Sequence, residues 1–80
     1  MARHARIVVT YNAAKLAEDM AAHGWDQTDL ARESGVSIAT ISRFFSGEYR
    51  TAPTVKRLAL ALGYSVRRYI TKAASEVATA

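Results

Sequence analysis

The chain of 80 residues contains no cysteine. A disulfide framework, a thiolate zinc site and a cysteine nucleophile are therefore excluded, and a reducing compartment is expected. No apolar run approaches the roughly 18 residues that a membrane helix needs. The first ten residues also lack the long apolar segment of a secretory signal. We therefore expect a cytoplasmic protein that does not contact a membrane.

The usual groupings of catalytic residues are also missing. The sequence offers no pair of carboxylates in a plausible cleft, no glycine-rich phosphate loop and no histidine at motif spacing from a nucleophile. A chain of this length, half of it apolar, allows one small domain with little room for a substrate pocket. We therefore expect no enzyme activity, no cofactor, no metal site and no small-molecule ligand.

Positive charge is unevenly distributed along the chain. Residues 1–10 carry a net charge of +2, and residues 11–36 carry two basic and five acidic side chains, a net charge of −3. Residues 37–57 carry four basic side chains and one acidic, a net charge of +3, and residues 58–80 carry +2. A charge run is often only a solvated face. This asymmetry instead favours one face that is turned toward a polyanion.

The most informative stretch is 27–46, QTDLARESGVSIATISRFFS. Its apolar residues recur with a helical period on both sides of Gly35, which predicts two short helices joined by a tight turn. Ser37 is suited to cap the second helix, because its hydroxyl can accept a hydrogen bond from a first-turn amide. The small side chain of Ala31, four residues before Gly35, allows the two helices to approach closely.

Helical periodicity also predicts the caps and the core. Asn12, Asp26 and Ser37 are the predicted N-caps, and Pro53 lies in the first turn of a helix that ends at Gly63. Trp25 is expected to pack between the first helix and the 27–46 stretch. Charged side chains of the first helix are placed outside its apolar stripe: Lys15, Glu18, Asp19 and His23. The apolar stripes comprise Ala13, Leu16, Ala17, Met20, Leu30, Ala31, Val36, Ile41, Phe44, Phe45, Val55, Leu58, Ala59 and Leu62.

The register of these elements resembles the helix-turn-helix of the Cro and phage-repressor (Xre-type) family. The resemblance rests on Gly24-Trp25-Asp26-Gln27, the 27–46 stretch, Ser46-Gly47, the segment from Pro53 to Gly63, and Ser65. It covers roughly residues 12–70. It implies an all-α fold, a small five-helix bundle of the lambda-repressor-like type with a short extended N-terminal arm, and binding to double-stranded DNA.

The second helix of the motif is the candidate recognition helix. Ile41 and Phe44 are expected to face inward, which leaves four residues as base-reading candidates: Ile38, Ala39, Ser42 and Arg43. The Arg43 fork can bond O6 and N7 of a guanine, or it can clamp a phosphate. Ile38 can contact a thymine methyl group, or it can continue the core stripe. Many relatives have polar side chains at the places of Ile38 and Ala39, so the DNA sequence that this chain binds cannot be inferred from theirs.

Other polar residues are candidates for the DNA backbone. The free amides and side chains of Gln27 and Thr28 begin the first helix of the motif and can bond a phosphate oxygen. Asp26 and Asp29 are expected to turn sideways. In the loop after the second helix, Tyr49 and Arg50 are predicted to contact a phosphate. The alternative is that their side chains are only exposed to solvent. The full backbone set is Gln27, Thr28, Ser37, Thr40, Ser46, Tyr49 and Arg50.

Residues 1–10 form the predicted arm. Arg3 and Arg6 suit a basic arm that reaches into a minor groove. The alternatives are a frayed terminus whose Ile7 and Val9 pack on the domain, or a short strand that pairs with its copy across a dimer.

Residues 65–78 are predicted to form a last helix capped by Ser65. Its apolar stripe is Val66, Tyr69, Ile70, Ala73 and Val77, with Arg67, Arg68, Lys72 and Glu76 on the other face. The stripe extends beyond what one small domain needs, so this is a candidate dimerisation helix, with fraying past Thr71 as the alternative.

The sequence thus predicts a single domain over residues 1–80 that regulates transcription. The expected protein is a homodimer that represses by occupying a palindromic operator, and pairs through the C-terminal helix or the N-terminal segment. The alternative is a protein-interaction or antitoxin-type module that uses the same fold, with DNA binding secondary.

Overall fold

The computed structural model describes residues 5–77, and side chains over residues 9–71. Four α-helices follow a first strand, β1 (Ala5–Tyr11): α1 (Ala13–His23), α2 (Gln27–Ser34), α3 (Ile38–Phe45) and α4 (Ala52–Leu62). A short 3₁₀ helix (Val66–Tyr69) and a second strand, β2 (Ile70–Val77), complete the described chain. Within this part of the chain, no helix is long and apolar enough to cross a membrane.

The predicted N-caps are confirmed. Asn12 Oδ1 accepts a hydrogen bond from the Lys15 amide at 2.9 Å, and Ser37 Oγ accepts one from the Thr40 amide at 3.1 Å. At the start of α2, Asp26 and Asp29 each accept a bond from the other's backbone amide. These side chains satisfy first-turn amides that would otherwise lack a partner, and so fix where each helix begins.

The turn between α2 and α3 has the predicted geometry. Gly35 ends α2 in the left-handed region, at φ +74°, and its amide donates to the Ala31 carbonyl at 3.0 Å. Only glycine adopts this conformation without steric cost. Val36 then enters the core, and α3 begins two residues later.

The core lies where the four helices meet the 3₁₀ helix. It contains most of the predicted stripe residues, together with Tyr69: Leu16, Met20, Leu30, Val36, Ile41, Phe44, Val55, Leu58, Ala59 and Leu62. Ala13, Ala31 and Phe45 pack against this core while partly buried. Ala17 was also placed on the stripe, but it is exposed. Trp25 packs against this core while partly exposed, as predicted. The His23 ring stacks on Trp25 at a centroid distance of 4.7 Å. Its Nε2 lies 2.9 Å from the Leu62 carbonyl oxygen, which joins the end of α1 to the end of α4.

The predicted helix over 65–78 is wrong, and with it the five-helix, all-α bundle. After the 3₁₀ helix the chain is extended, and β2 pairs antiparallel with β1 from Ala5 opposite Val77 to Tyr11 opposite Ile70. Val66 and Tyr69 still pack inward. Short isolated helices are marginal in water, so local helical cues alone do not stabilise a helix past Thr71. The β-branched residues of β1 offered a partner instead.

The arm of residues 1–10 is therefore largely a strand. Its pairing partner is the C-terminal segment of the same chain, not a second copy as the strand alternative supposed. The register shifts between Thr10 and Tyr11, and Thr71 Oγ1 donates to the Thr10 carbonyl at 3.1 Å. Arg6 lies in β1, whereas Arg3 lies outside the described residues.

Asp19 corrects a second expectation, because it is buried rather than outside the stripe. It is 7% exposed and accepts bonds from Arg68 Nε at 2.7 Å, Arg68 Nη2 at 2.9 Å and the Tyr69 hydroxyl at 2.6 Å. These bonds hold the 3₁₀ helix against α1. The Arg68 hydrogen bonds hold the pKa of Asp19 at about 2, and burial, with the bond to Asp19, raises the pKa of Tyr69.

Candidate nucleic-acid interface

One face of α3 is open to solvent and carries the predicted base-reading side chains. Ile41 and Phe44 are buried on the opposite face, as their spacing predicted. Ala39, Ser42 and Arg43 are exposed, and Ile38 is 48% exposed. Ile38 thus contributes to the outer surface of the helix, not to the core. The four candidates lie together on one helix face.

Arg43 is oriented by the loop that follows α3. Its Nη1 lies 3.3 Å from the Tyr49 hydroxyl, and its guanidinium carbon lies 5.9 Å from the centre of the Tyr49 ring. The backbone of Tyr49 has a φ of +53°, which residues other than glycine rarely adopt. In this backbone conformation the Tyr49 ring lies beside Arg43. One weak bond to a neutral hydroxyl leaves most of the guanidinium fork unused.

Arg50 closes the C-terminal end of α3. Its Nε donates to the Phe44 carbonyl at 2.8 Å, and its Nη2 donates to the Phe45 carbonyl at 3.2 Å. These carbonyls lie at the negative end of the helix, where a cation is favourable. The guanidinium also lies 5.5 Å from the centre of the Phe44 ring. Two of its five N–H groups are therefore used, and the exposed side chain has others to offer a phosphate.

The hydroxyl groups of α3 are also partly used within the chain. Ser46 Oγ donates to the Arg43 carbonyl at 3.0 Å. Ser37 Oγ donates to Thr40 Oγ1 at 2.8 Å while it accepts the Thr40 amide. Ser46 consequently reaches DNA only as an acceptor in this geometry. Thr40 retains its own hydroxyl hydrogen, since it accepts the bond from Ser37.

The start of α2 presents amides next to these groups. The first intrahelical bond runs from the Leu30 amide to the Asp26 carbonyl, so the amides of Gln27 and Thr28 precede the helical ladder. Asp29 is turned back along the helix, where it bonds Asp26 and also accepts from Arg32 Nη2 at 2.7 Å. Those bonds, that from the Asp26 amide first, lower the pKa of Asp29.

Sequence reasoning missed two groups of residues. Asp19 falls between Leu16 and Met20 at helical spacing, so its position on the buried face was readable from the sequence. The partner, Arg68, was not readable, because it lies 49 residues away. Thr54 and Arg57 were not identified as candidates, although they line an open notch beside α3.

The comparison with protein families agrees with this geometry. The helix-turn-helix family model HTH_3 matches residues 16–69. The match covers most of α1, all of α2, α3 and α4, and the 3₁₀ helix, and it leaves the two strands outside. Comparisons with curated proteins and with solved structures gave no significant match.

Proposed function

The chain belongs to the helix-turn-helix family of the Cro and phage-repressor (Xre) type, and we propose that it is a sequence-specific transcriptional repressor. The family consists of DNA-binding regulators. The observation that carries the finer proposal is the open face of α3, where Ile38, Ala39, Ser42 and Arg43 lie exposed side by side. A helix of this kind fits the major groove of a duplex, where each base pair has a distinct pattern of donors and acceptors.

Within the major groove, Arg43 carries most of the sequence information. Its fork bonds O6 and N7 of one guanine, and the Tyr49 hydroxyl at 3.3 Å sets its direction. Ile38 and Ala39 cannot hydrogen-bond a base, so they favour thymine methyl groups. Ser42 accepts or donates one bond to a neighbouring base edge.

The DNA backbone is held at both ends of the motif. The amides and side chains of Gln27 and Thr28 bind one phosphate at the start of α2, where the helix dipole favours an anion. Tyr49 and Arg50 bind a second phosphate after α3, with Ser46 beside them. Arg50 holds the end of α3 with two N–H groups and uses the others for the phosphate. Ser37 and Thr40 flank the base-reading face.

We place the dimer contact at the two-stranded sheet. Residues 5–77 show both predicted dimer segments joined in one sheet, β1 with β2. A two-stranded sheet is marginal in water by itself, and each strand presents one unpaired edge. Pairing of two copies would complete a larger sheet and would set two α3 helices about 10 to 10.5 base pairs apart, or a multiple of that, on a palindromic operator. Repression follows from occupancy of that site.

Selection from a randomised duplex library at about 0.15 M salt tests the proposal, because nonspecific binding is weak there. A two-fold symmetric motif is expected. An asymmetric half-site would contradict the dimer and keep sequence-specific binding. No enrichment would contradict sequence-specific binding, and would favour a protein-interaction or antitoxin-type module. Minor-groove contact by Arg3 and Arg6 stays a prediction, and base preferences beyond the α3 contacts would support it.

A further inference from the structure

An open notch lies between the start of α3 and the first turns of α4. Its volume is about 320 Å³. Six residues line this α3–α4 notch: Val36, Ser37, Thr40, Pro53, Thr54 and Arg57. None of them is acidic, and all but Val36 come from residues 37–57, whose net charge is +3. The notch therefore suits a small anion better than a cation or an apolar group.

The hydroxyl groups in the α3–α4 notch are arranged to donate. Thr40 Oγ1 accepts the hydrogen of Ser37 at 2.8 Å, and Thr54 Oγ1 accepts the hydrogen of Thr51 at 3.2 Å. A hydroxyl has one hydrogen to give. Because Thr40 and Thr54 are the acceptors of these bonds, each keeps its own hydrogen for a partner outside the protein.

Arg57 adds a cation to these donors. It follows Thr54 by three residues and Pro53 by four, so the three residues share one face of α4. Arg57 is exposed, and the ion pairs found among the described residues involve Arg32 and Arg68 only. Its guanidinium is therefore available to an outside ligand. The neighbouring Lys56 does not line the notch, since adjacent residues on a helix do not share a face.

From these three donors we infer that the α3–α4 notch binds a phosphodiester group of duplex DNA. The inference rests on the proposed DNA binding and adds Thr54 and Arg57 to it. Thr40 precedes Arg43 by one helical turn, so a phosphate held in the notch lies beside the base-reading face of α3. Arginine bonds the two non-bridging oxygens of a phosphodiester through two parallel N–H groups, and hydroxyls donate to the remaining lone pairs of the same oxygens. Such a contact adds affinity on every duplex sequence and fixes the depth of α3 in the groove.

The test compares Arg57→Gln with Lys56→Gln in the full chain. Each variant removes one positive charge from the same helix, so their long-range electrostatic effects match. Arg57→Gln is expected to weaken binding about tenfold on specific and nonspecific duplexes alike, and to reduce the slope of log K against log salt by about 1. Lys56→Gln is expected to leave both quantities close to those of the parent.

Ethylation interference then locates the phosphate. With the parent, ethylation of one phosphate per half-site is expected to weaken binding through the notch. That interference is expected to vanish in Arg57→Gln and to weaken in Thr54→Val, which removes the hydroxyl at nearly constant volume, while interference at other phosphates persists.

The outcomes separate this inference from the proposed function. If the parent binds DNA but Arg57→Gln behaves as Lys56→Gln does, the notch assignment is overturned and the proposed function stands. If the parent binds without sequence preference and Arg57→Gln still reduces the slope, the notch stands and sequence-specific repression does not. A parent that binds no duplex overturns both. Inorganic phosphate that shifts the Thr40 and Thr54 amide resonances at submillimolar concentration, with the Arg57→Gln slope unchanged, would mark a free-anion site and overturn the DNA assignment.

Discussion

Arg68 and Arg43 each lie beside a tyrosine, yet the protein holds them in different ways. Arg68 bonds the Asp19 carboxylate through two nitrogens, at 2.7 and 2.9 Å, and its guanidinium lies 4.0 Å from the centre of the Tyr64 ring. Arg43 makes one bond of 3.3 Å to the neutral Tyr49 hydroxyl. The two bonds from Arg68 to a carboxylate stabilise the fold. The single weak bond of Arg43 orients its guanidinium and leaves the other N–H groups available to DNA.

The largest expected change in stability comes from removing the Asp19 carboxylate that accepts the Arg68 hydrogen bonds. Asp19→Ala leaves that guanidinium and the buried Tyr69 hydroxyl without their acceptor, so we expect the free energy of unfolding to fall by about 2 to 4 kcal/mol. Urea denaturation measures the change. Glu18→Ala, an exposed acid on the same helix, is the control and is expected to change stability by less than about 0.5 kcal/mol. If Asp19→Ala and Glu18→Ala changed the free energy of unfolding equally, the bonds between Asp19 and Arg68 would have no special role in stability.

Acid is expected to open the same contact reversibly. The pKa of Asp19 is lowered from 3.8 to about 2 in the folded protein, so its contribution is fully present above about pH 4 and is lost as the pH falls toward 2. The shift corresponds to about 2 kcal/mol of unfolding free energy. Urea midpoints of the parent and Asp19→Ala, followed from about pH 5 downward, measure it. The gap between the two proteins must narrow in acid; a constant gap would contradict the linkage.

Replacing Arg43 is expected to weaken DNA binding without changing the stability of the fold. Arg43→Ala is expected to cost about 1 to 3 kcal/mol of binding to the selected DNA site, with the free energy of unfolding within about 0.5 kcal/mol of the parent. Titration of duplex by fluorescence anisotropy gives the first quantity and urea denaturation gives the second. Arg32→Ala, which removes an equal charge from α2, is the control. A loss of similar size in both variants would indicate general charge attraction instead of base reading.

The smallest effect is expected at the tyrosine that orients Arg43. Tyr49→Phe removes the hydroxyl and keeps the ring, so we expect a loss of binding free energy of about 0.5 to 1 kcal/mol. One part of the loss comes from the phosphate contact and is expected on every duplex, and the other part is expected only at the base pair assigned to Arg43. Competition between duplexes that differ at that pair alone measures the preference. An equal loss on all duplexes would show that the Tyr49 hydroxyl acts on the phosphate alone and does not orient Arg43.

The helix-turn-helix was predictable because its signals are local. Asn12, Asp26, Ser37 and Gly35 each act within four residues of their own position, and the structure confirms each of them. The exposed face of α3 followed from the burial of Ile41 and Phe44. A helix period and its caps were therefore enough to locate the candidate base-reading residues.

The C-terminal segment was not predictable because its conformation depends on distant residues. Val66 and Tyr69 fit a helical stripe and do pack inward. Ile70, however, begins a strand whose partners lie 59 to 72 positions earlier in the chain. The single-residue cues for a last helix were consistent, and a non-local partner overrode them. The hydrogen bonds of Asp19 were not predicted for the same reason, since nothing in the sequence distinguished its distant partner Arg68 from the other basic residues.

The pairing of β1 with β2 also has a consequence for the order of folding. Thr10 and Thr71 are bonded across 61 residues, so the sheet closes a loop that contains all four helices, and that closure costs chain entropy. The helices fold through shorter loops, and their packing brings Asn12 to the Tyr69 carbonyl, where the amide bonds at 2.6 Å. We therefore expect the helical body to form first and the sheet to close last. In native-state hydrogen exchange, the β1 amides are accordingly expected to open at lower free energy than those of α4, and equal protection would indicate that body and sheet fold as one unit.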